Sequence, residues 1–195
     1  MLFLITGNRT FRLRTVMSCV GNTKSLLVFA DKNRLPCMDD EYTPLNVASG
    51  SGEEIGKLMS NFAHTPFVLD GAWYASVEGF YASLKFLDEE KRSKMARLYG
   101  ARARGKASKS QLKTTCYQGE SFELGSHRHH ELIKCAIRAK LEQHSEIAKL
   151  FVATRPRPII HDTGHAEQTT TRFPGDVFCR ILTELREEFA ERAEA

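Results

Sequence analysis

Residues 59–87, MSNFAHTPFVLDGAWYASVEGFYASLKFL, predict a strand, a tight turn, a second strand and a helix in one continuous run. Phe67–Leu69 is a short apolar strand, Asp70-Gly71 is a dipeptide typical of tight turns, and Trp73-Tyr74 resumes the extended chain. Ser76 is a good helix N-cap residue, and apolar residues follow it at helical spacing. These apolar residues are Val77, Phe80, Tyr81, Leu84 and Leu87.

Two charged residues of this predicted helix lie beside its apolar stripe. Glu78 and Lys85 are seven residues apart, so they share one face, roughly 10 Å apart along the axis at about 1.5 Å per residue. Glu78 also lies in the first helical turn, where free N–H groups favour a negative charge. Spacing alone therefore allows two interpretations: Glu78 supports the helix, or it is a catalytic carboxylate at the rim of a pocket.

Composition points to a globular protein. A chain of 195 residues is most simply one domain with a sizeable core, and 42% hydrophobic with 27% charged residues excludes a disordered chain. The five cysteines form no C-x-x-C motif, so we expect no disulfide framework, no zinc knuckle and a reducing compartment. No segment is apolar enough for a signal peptide or a membrane span, which predicts a cytoplasmic protein without a membrane partner.

Positive charge is concentrated in one segment. Residues 91–113 contain nine Lys or Arg and no acidic residue, although the net charge of the chain is only +4. This run is either a solvated basic face or a surface that attracts a phosphate-bearing ligand or a nucleic-acid backbone.

The remaining elements follow from local patterns. Residues 1–24 are weakly patterned and form an N-terminal extension of uncertain structure, whereas Ser25–Ala30 predicts a buried strand and residues 31–54 a long loop. Further predictions are helices over 89–99, 128–144 and 175–193, a helical continuation over 146–153, a strand at 159–160 and a polar loop over 163–174.

Several motifs in fixed order within residues 59–87 resemble the signature of the NADAR/YbiA-like family. They are Ser60-Asn61-Phe62, Pro66-Phe67, Leu69-Asp70-Gly71, Tyr74, Ser76-Val77-Glu78, Tyr81 and Lys85-Phe86. Ala139-Lys140-Leu141-x-Gln143 and Ile181-Leu182-x-x-Leu185-Arg186 extend the resemblance over roughly residues 26–190. It implies an α+β fold, a single compact and mainly α-helical domain over residues 25–195 with a small set of short β-strands.

The resemblance also implies N-glycosidase chemistry on ribosylated or ADP-ribosylated nitrogen compounds. Such cleavage passes through an oxocarbenium-like state, which a nearby carboxylate stabilises. Glu78 supplies that carboxylate, and Asp176 is a second catalytic candidate if the last helix begins in the pocket. One form of the reaction is removal of ADP-ribose from guanine in nucleic acid, for which the basic run is suited.

The expected ligand has a ribose, a base and phosphates, and each part needs its own contacts. Asn61 holds a ribose hydroxyl or the water, Phe62 stacks on the base, and cationic groups meet the phosphates. The hydroxyl-rich segment before the last helix caps that helix or holds a phosphate at its N-terminus. The expected binding residues are Ser60, Asn61, Phe62, Tyr81, Lys85, Arg102, Arg104, Lys106, Thr171 and Arg172.

No step of this reaction requires a metal or another cofactor. His127, His129 and His130 are conspicuous, but neighbouring histidines at a helix start point in different directions.

The chain departs from the family at three places. Gly79 stands where the family usually has His, residues 163–174 contain no W-G-D element, and Asp176 replaces an Asn. These departures keep a second hypothesis open, a module that binds ADP-ribose or a related nucleotide without cleaving it. A third hypothesis, a purely structural protein, is disfavoured by the retained S-N-F and S-V-E motifs.

Overall fold

The computed structural model describes residues 43–194, and within this range the chain forms seven helices and six short strands. In chain order they are β1 (Leu45–Asn46), α1 (Glu54–Met59), β2 (Phe67–Leu69), β3 (Ala72–Tyr74), α2 (Val77–Ser83), α3 (Glu89–Ala96), α4 (Gly100–Ala107), β4 (Thr114–Tyr117), β5 (Glu120–Glu123), α5 (His127–Gln143), α6 (Ser145–Val152), β6 (Ile159–Ile160) and α7 (Gly175–Glu194). The predicted α+β class, mainly helical with a few short strands, is confirmed. None of these helices combines the length and apolar character needed to cross a bilayer.

The hairpin predicted at residues 67–74 is confirmed. Strands β2 and β3 pair antiparallel, with Val68 opposite Trp73. Asp70 and Gly71 both adopt positive φ, 49° and 77°, which is the geometry of the tight turns that suit twisted hairpins. Ser76 then caps α2, because its side chain accepts a hydrogen bond from the Gly79 N–H at 2.9 Å.

Helices α5 and α7 supply much of the core of the described residues. Ile133, Ile137, Ile181 and Leu182 are at most 2% exposed, as the helical spacing of apolar residues predicts. The predicted helices over 128–144 and 175–193 are therefore confirmed.

The predicted loop over residues 31–54 is wrong for its described C-terminal part. Leu45 and Asn46 form β1, which pairs in parallel with the predicted strand β6 at Ile159 and Ile160. Two residues carry too little pattern to predict a strand, and the partner lies more than a hundred residues away. Helix α1, which begins at Glu54, has no side-chain N-cap from which its start could have been predicted.

Helix α2 is shorter than its apolar pattern predicts. It ends at Ser83, so Lys85 and Leu87 lie beyond it, and Leu87 is exposed. The chain leaves the helix through a tighter turn, in which the N–H of Lys85 donates to the Ala82 carbonyl three residues back. The Ser110 hydroxyl donates to the Lys85 carbonyl. Glu78 and Lys85 are thus on one side of the structure without sharing one continuous helix.

Two further segments differ from or extend the prediction. Residues 146–153 do not continue α5, because His144 has non-helical dihedral angles and separates α5 from α6. Residues 112–125, which have no clear pattern, contain the antiparallel hairpin of β4 and β5. The predicted strand Ser25–Ala30 and the extension 1–24 lie outside the described residues.

Candidate active site

A cavity of about 1090 Å³ is lined by residues from five separate parts of the chain. They are residue 49 and residues within 60–62, 78–85, 104–111 and 159–179. Every site residue predicted from the sequence lines this cavity except Arg102 and Lys106. Those that do are Ser60, Asn61, Phe62, Glu78, Tyr81, Lys85, Arg104, Thr171, Arg172 and Asp176.

Glu78 is held rigidly at one wall of the cavity. Its backbone N–H donates to the Asn61 carbonyl at 2.9 Å, and Ser76 caps the same helical turn. The side chain is only 7% exposed, and this burial raises the pKa of Glu78 to about 7, although Lys85 and Arg104 act in the opposite direction. A carboxyl group with a pKa near 7 in a cleft is typical of a catalytic acid or base.

Lys85 and Tyr81 form the neighbouring wall. The Lys85 ammonium lies 4.3 Å from the centroid of the Tyr81 ring, a cation–π contact. Burial lowers the pKa of Lys85, while the nearby Glu78 raises it. Burial, followed by the charge of Glu78, raises the pKa of the Tyr81 hydroxyl to about 12, so this hydroxyl stays protonated and can donate a hydrogen bond.

Helix α4 explains why only one of its predicted cations reaches the cavity. Ala103 and Ala107 are buried against the fold, which fixes the rotation of the helix. All three cations are exposed, but Arg104 lies on the cavity side, whereas Arg102 and Lys106 lie four residues apart on the opposite flank. The basic run thus contributes one arginine to the cavity lining.

Asn61 has a side-chain oxygen that accepts no hydrogen bond from the described residues. Its Oδ1 atom is buried and has no hydrogen-bond partner among the described residues. A buried acceptor without a partner is costly, so this atom is well suited to receive a ligand hydroxyl or a water. Ser60 has a structural contact, because its hydroxyl accepts the Phe62 N–H at 3.2 Å.

The last helix begins at the cavity. The N–H of Gly175 donates to the Glu167 carboxylate at 2.9 Å, so Glu167 caps α7 in place of the threonines considered as caps from the sequence. Asp176 is exposed at the cavity rim, where its carboxylate accepts the Val177 N–H. Glu167 lies eight residues before Gly175, outside the spacing of any local capping motif, so only the fold could identify it.

Arg172 is anchored while it lines the cavity. Its guanidinium donates to the Leu112 carbonyl, and its own carbonyl accepts a hydrogen bond from the His130 ring at 3.0 Å. These contacts fix the end of the polar loop next to the cations Lys85 and Arg104.

His129 and His130 have structural contacts. His129 is fully buried, and burial lowers the pKa of its ring to about 3, so the ring is neutral and its Nδ1 accepts the Gly125 N–H. No group of three or more His, Cys, Asp or Glu residues between 43 and 194 is arranged to hold a metal ion.

Comparisons with known proteins agree with this architecture. The family model described as Bacteriophage protein GP30.3 matches residues 54–187. Proteins named N-glycosidase YbiA from Escherichia coli K12 and Shigella boydii serotype 4 are 30% identical over 135 residues, which cover 68% of this chain and 81% of theirs. The NMR structure of E. coli YbiA has a TM-score of 0.58 at 24% identity, covering 80% of this chain and 92% of that one. The chain belongs to the NADAR/YbiA-like family.

Proposed function

We propose that this protein is an N-glycosidase that hydrolyses the bond between ribose C1′ and nitrogen in an ADP-ribosylated or ribosyl-phosphate compound. The observation that carries the proposal is the buried carboxyl of Glu78, with a pKa of about 7, in a cavity that also contains Lys85, Arg104 and Arg172. The relatives that cover two thirds of the chain are named N-glycosidases, which supports the same reaction class.

The reaction needs stabilisation of positive charge on the sugar. As the C1′–N bond breaks, its electron pair leaves with the nitrogen base and the ribose becomes oxocarbenium-like. The ionised Glu78 carboxylate offsets this charge and accepts a proton from the water that adds to C1′. Asp176 is the proposed second carboxylate, since it lies at the cavity rim in the first turn of α7.

The cations of the cavity favour a substrate that contains phosphate. Arg104 and Arg172 supply planar donor groups that match phosphate oxygens, and Lys85 adds a third positive charge. Asn61, with its unused Oδ1, is the proposed contact for a ribose hydroxyl or the water. Phe62 is the proposed stacking surface for the base, and removal of ADP-ribose from guanine in nucleic acid remains one form of the reaction.

A nucleotide-binding module that does not cleave its ligand is the second candidate. Gly79 follows Glu78 where the family usually has His, and a Cβ at this position would lie 2.4 Å from the Leu98 carbonyl oxygen. The local packing thus excludes any side chain here, so a contribution from that family residue is missing. Both candidates predict ligand binding, and only product formation separates them.

The decisive experiment compares the unmodified protein with Glu78→Gln on ADP-ribosylated guanosine, both alone and within a short DNA. Release of ADP-ribose is followed by chromatography. We expect Glu78→Gln to lose at least a hundredfold in turnover, because the amide cannot carry the negative charge that the sugar requires. Ligand binding should be retained, and thermal stability should be retained or higher, because the amide avoids the cost of a buried negative charge.

Glu54→Gln is the matched control. Glu54 also lies in a first helical turn, but it is exposed and does not line the cavity, so this variant should turn over like the unmodified protein. Full activity of Glu78→Gln would refute the role of Glu78. Thermal stabilisation by ADP-ribose without any release of product would favour the binding module.

A further inference from the structure

Lys140 is a buried lysine outside the cavity lining. It lies on α5 and is 1% exposed, and among residues 43–194 it forms no ion pair. Its ammonium donates to the Leu58 carbonyl at 2.5 Å, and burial lowers its pKa to about 7. Lysine is seldom buried without a partner, because removing its charge from water is costly.

The contact that Lys140 makes lies at the end of helix α1. The last carbonyls of a helix lack partners within it, and two of them, those of Gly56 and Lys57, accept the Ser60 N–H. Lys140 supplies the donor for the next carbonyl, that of Leu58. A positive group also suits the negative end of the helix.

Directly after this carbonyl the chain enters the cavity wall. Ser60, Asn61 and Phe62 line the cavity, and the Asn61 carbonyl accepts the backbone N–H of Glu78. A path of two hydrogen bonds and four covalently linked residues, 58–61, therefore joins the Lys140 ammonium to the backbone of Glu78. An apolar side chain of equal length would fill the same space but would leave the Leu58 carbonyl without this donor.

We propose that Lys140 is a positioning residue, which fixes the end of α1 and through it places Asn61 and Glu78 for the reaction. The expected effect on kcat rests on the proposed function. The expected effect on the structure around Glu78 does not, because hydrogen exchange measures it without turnover. Small displacements of reacting groups reduce rates strongly, by as much as about a hundredfold for 1 Å.

The test compares Lys140→Met with Lys134→Met in the full chain. Lys134 lies on the same helix, forms an ion pair with Glu184 at 2.6 Å and does not line the cavity. Both variants exchange an ammonium for a thioether of similar length. Each is assayed for kcat and KM on ADP-ribosylated guanosine, for Tm, and for amide hydrogen exchange.

We expect Lys140→Met to lower kcat at least tenfold while KM changes less than threefold, since the cations that hold the ligand are untouched. Hydrogen exchange should accelerate at least tenfold at the Glu78 amide and across residues 60–62. Its Tm should stay within a few degrees of the original or rise, because a buried charge has been removed. Lys134→Met should retain the original kcat and exchange.

Unchanged kcat together with unchanged exchange at Glu78 in a folded Lys140→Met would overturn the proposal. Faster exchange spread evenly over the protein would also overturn it, because that result describes a general structural role. If the unmodified protein releases no product, the exchange pattern alone decides the role of Lys140, and only the proposed function fails. If Lys140→Met does not fold, Lys140→Gln decides by the same measurements: its shorter donor should give intermediate exchange, and exchange like that of the original would contradict the proposal.

Discussion

The environment of Glu78 differs from what its position in the sequence suggests. A glutamate in a first helical turn is ordinarily a solvated charge, but here the side chain is almost fully buried beside the cavity. Burial raises its pKa to about 7, so at neutral pH the acid and the carboxylate are both populated. The neighbouring Lys85 and Arg104 offset only part of the cost of ionising this group.

The raised pKa of Glu78 predicts how its contribution to stability depends on pH. A carboxyl whose pKa rises from 4.5 to about 7 on folding favours the folded state when protonated, and this contribution is lost as pH rises through 7. The loss between pH 4 and pH 8 is on the order of 3 kcal/mol, from about 1.4 kcal/mol per pKa unit. The free energy of unfolding of Glu78→Gln, relative to the original, should therefore increase over this pH range.

Urea unfolding at a series of pH values measures this difference. Glu54→Gln, which alters an exposed first-turn carboxylate, is measured in parallel as the control. A flat difference for Glu78→Gln would mean that the Glu78 carboxyl ionises as it does in the unfolded chain.

At the scale of single residues, the sequence predicts roles that depend on neighbouring positions, but it does not predict contacts between positions far apart in the chain. Ser76 as a cap and Glu78 in the first turn of a helix follow from a few neighbouring positions, and the structure places both as the pattern indicates. The contacts of Glu167 with Gly175 and of Lys140 with Leu58 join positions that no short motif connects. Their roles could be found only in three dimensions.

Among the elements, α2 shows how packing decides the details that propensity leaves open. Glycine lowers helix stability by about 1 kcal/mol relative to alanine, yet Gly79 lies in the first turn of α2. The reason is contact: a Cβ at this position would lie 2.4 Å from the Leu98 carbonyl oxygen and 3.1 Å from that of Ala96. Both obstacles are backbone atoms, which cannot rotate away.

Gly79→Ala should therefore destabilise the protein by about 1–3 kcal/mol, the usual cost of forcing extra volume into a packed interior. Gly105→Ala in α4 is the matched control, because no atom lies within 4 Å of the Cβ that it adds. That variant should gain up to about 1 kcal/mol from helix propensity. Chemical denaturation of the two variants measures both changes in the free energy of unfolding. A stabilised Gly79→Ala would contradict the argument from the Cβ contacts.

Element prediction succeeds where a pattern is long and fails where it is short. The apolar stripes of α5 and α7 extend over 17 and 20 residues and predict both helices correctly. Strands β1 and β6 have two residues each, and only β6, an apolar pair, could be predicted as a strand from the sequence. Just beyond the early end of α2, the Lys85 carbonyl accepts a hydrogen bond from the Ser110 hydroxyl, 25 positions away, a contact that no local pattern predicts.

At the scale of the whole molecule, the site is a cavity whose walls come from distant parts of the chain. Lys85, Arg104 and Arg172 belong to three different segments and meet only in the folded protein. Their charges interact with one another and with Glu78, and Glu167 and Asp176 add two further carboxylates to the lining. The family signature includes Lys85 but neither arginine, and it does not predict the rotation of α4 that separates Arg104 from Arg102.

Binding of ADP-ribose should raise the Tm of the folded protein. At a ligand concentration of one hundred times Kd the stabilisation is about 2.7 kcal/mol, which corresponds to a rise of roughly 5–10 °C for a chain of this size. Arg104→Ala should lose about half of this shift, since a tenfold weaker affinity removes about 1.4 kcal/mol. Differential scanning fluorimetry with ADP-ribose measures both shifts.

Arg102→Ala is the control for this experiment, because Arg102 lies on the same helix but outside the cavity lining. The cavity geometry predicts that it keeps the full shift. An equal loss in both variants would show that the ligand responds to the overall charge of α4 and not to the arginine at the cavity wall.

The polar loop over residues 163–174 has a consequence for how this protein can evolve. Its residues are exposed or half-buried, the contacts that hold it to the fold involve Glu167 and Arg172, and it supplies a large share of the cavity lining. Substitutions at its other exposed positions should change what the cavity accepts while leaving the packed helices undisturbed. We therefore expect this loop, which has a threonine-rich sequence in place of the family's W-G-D element, to be where new substrate preferences arise by selection.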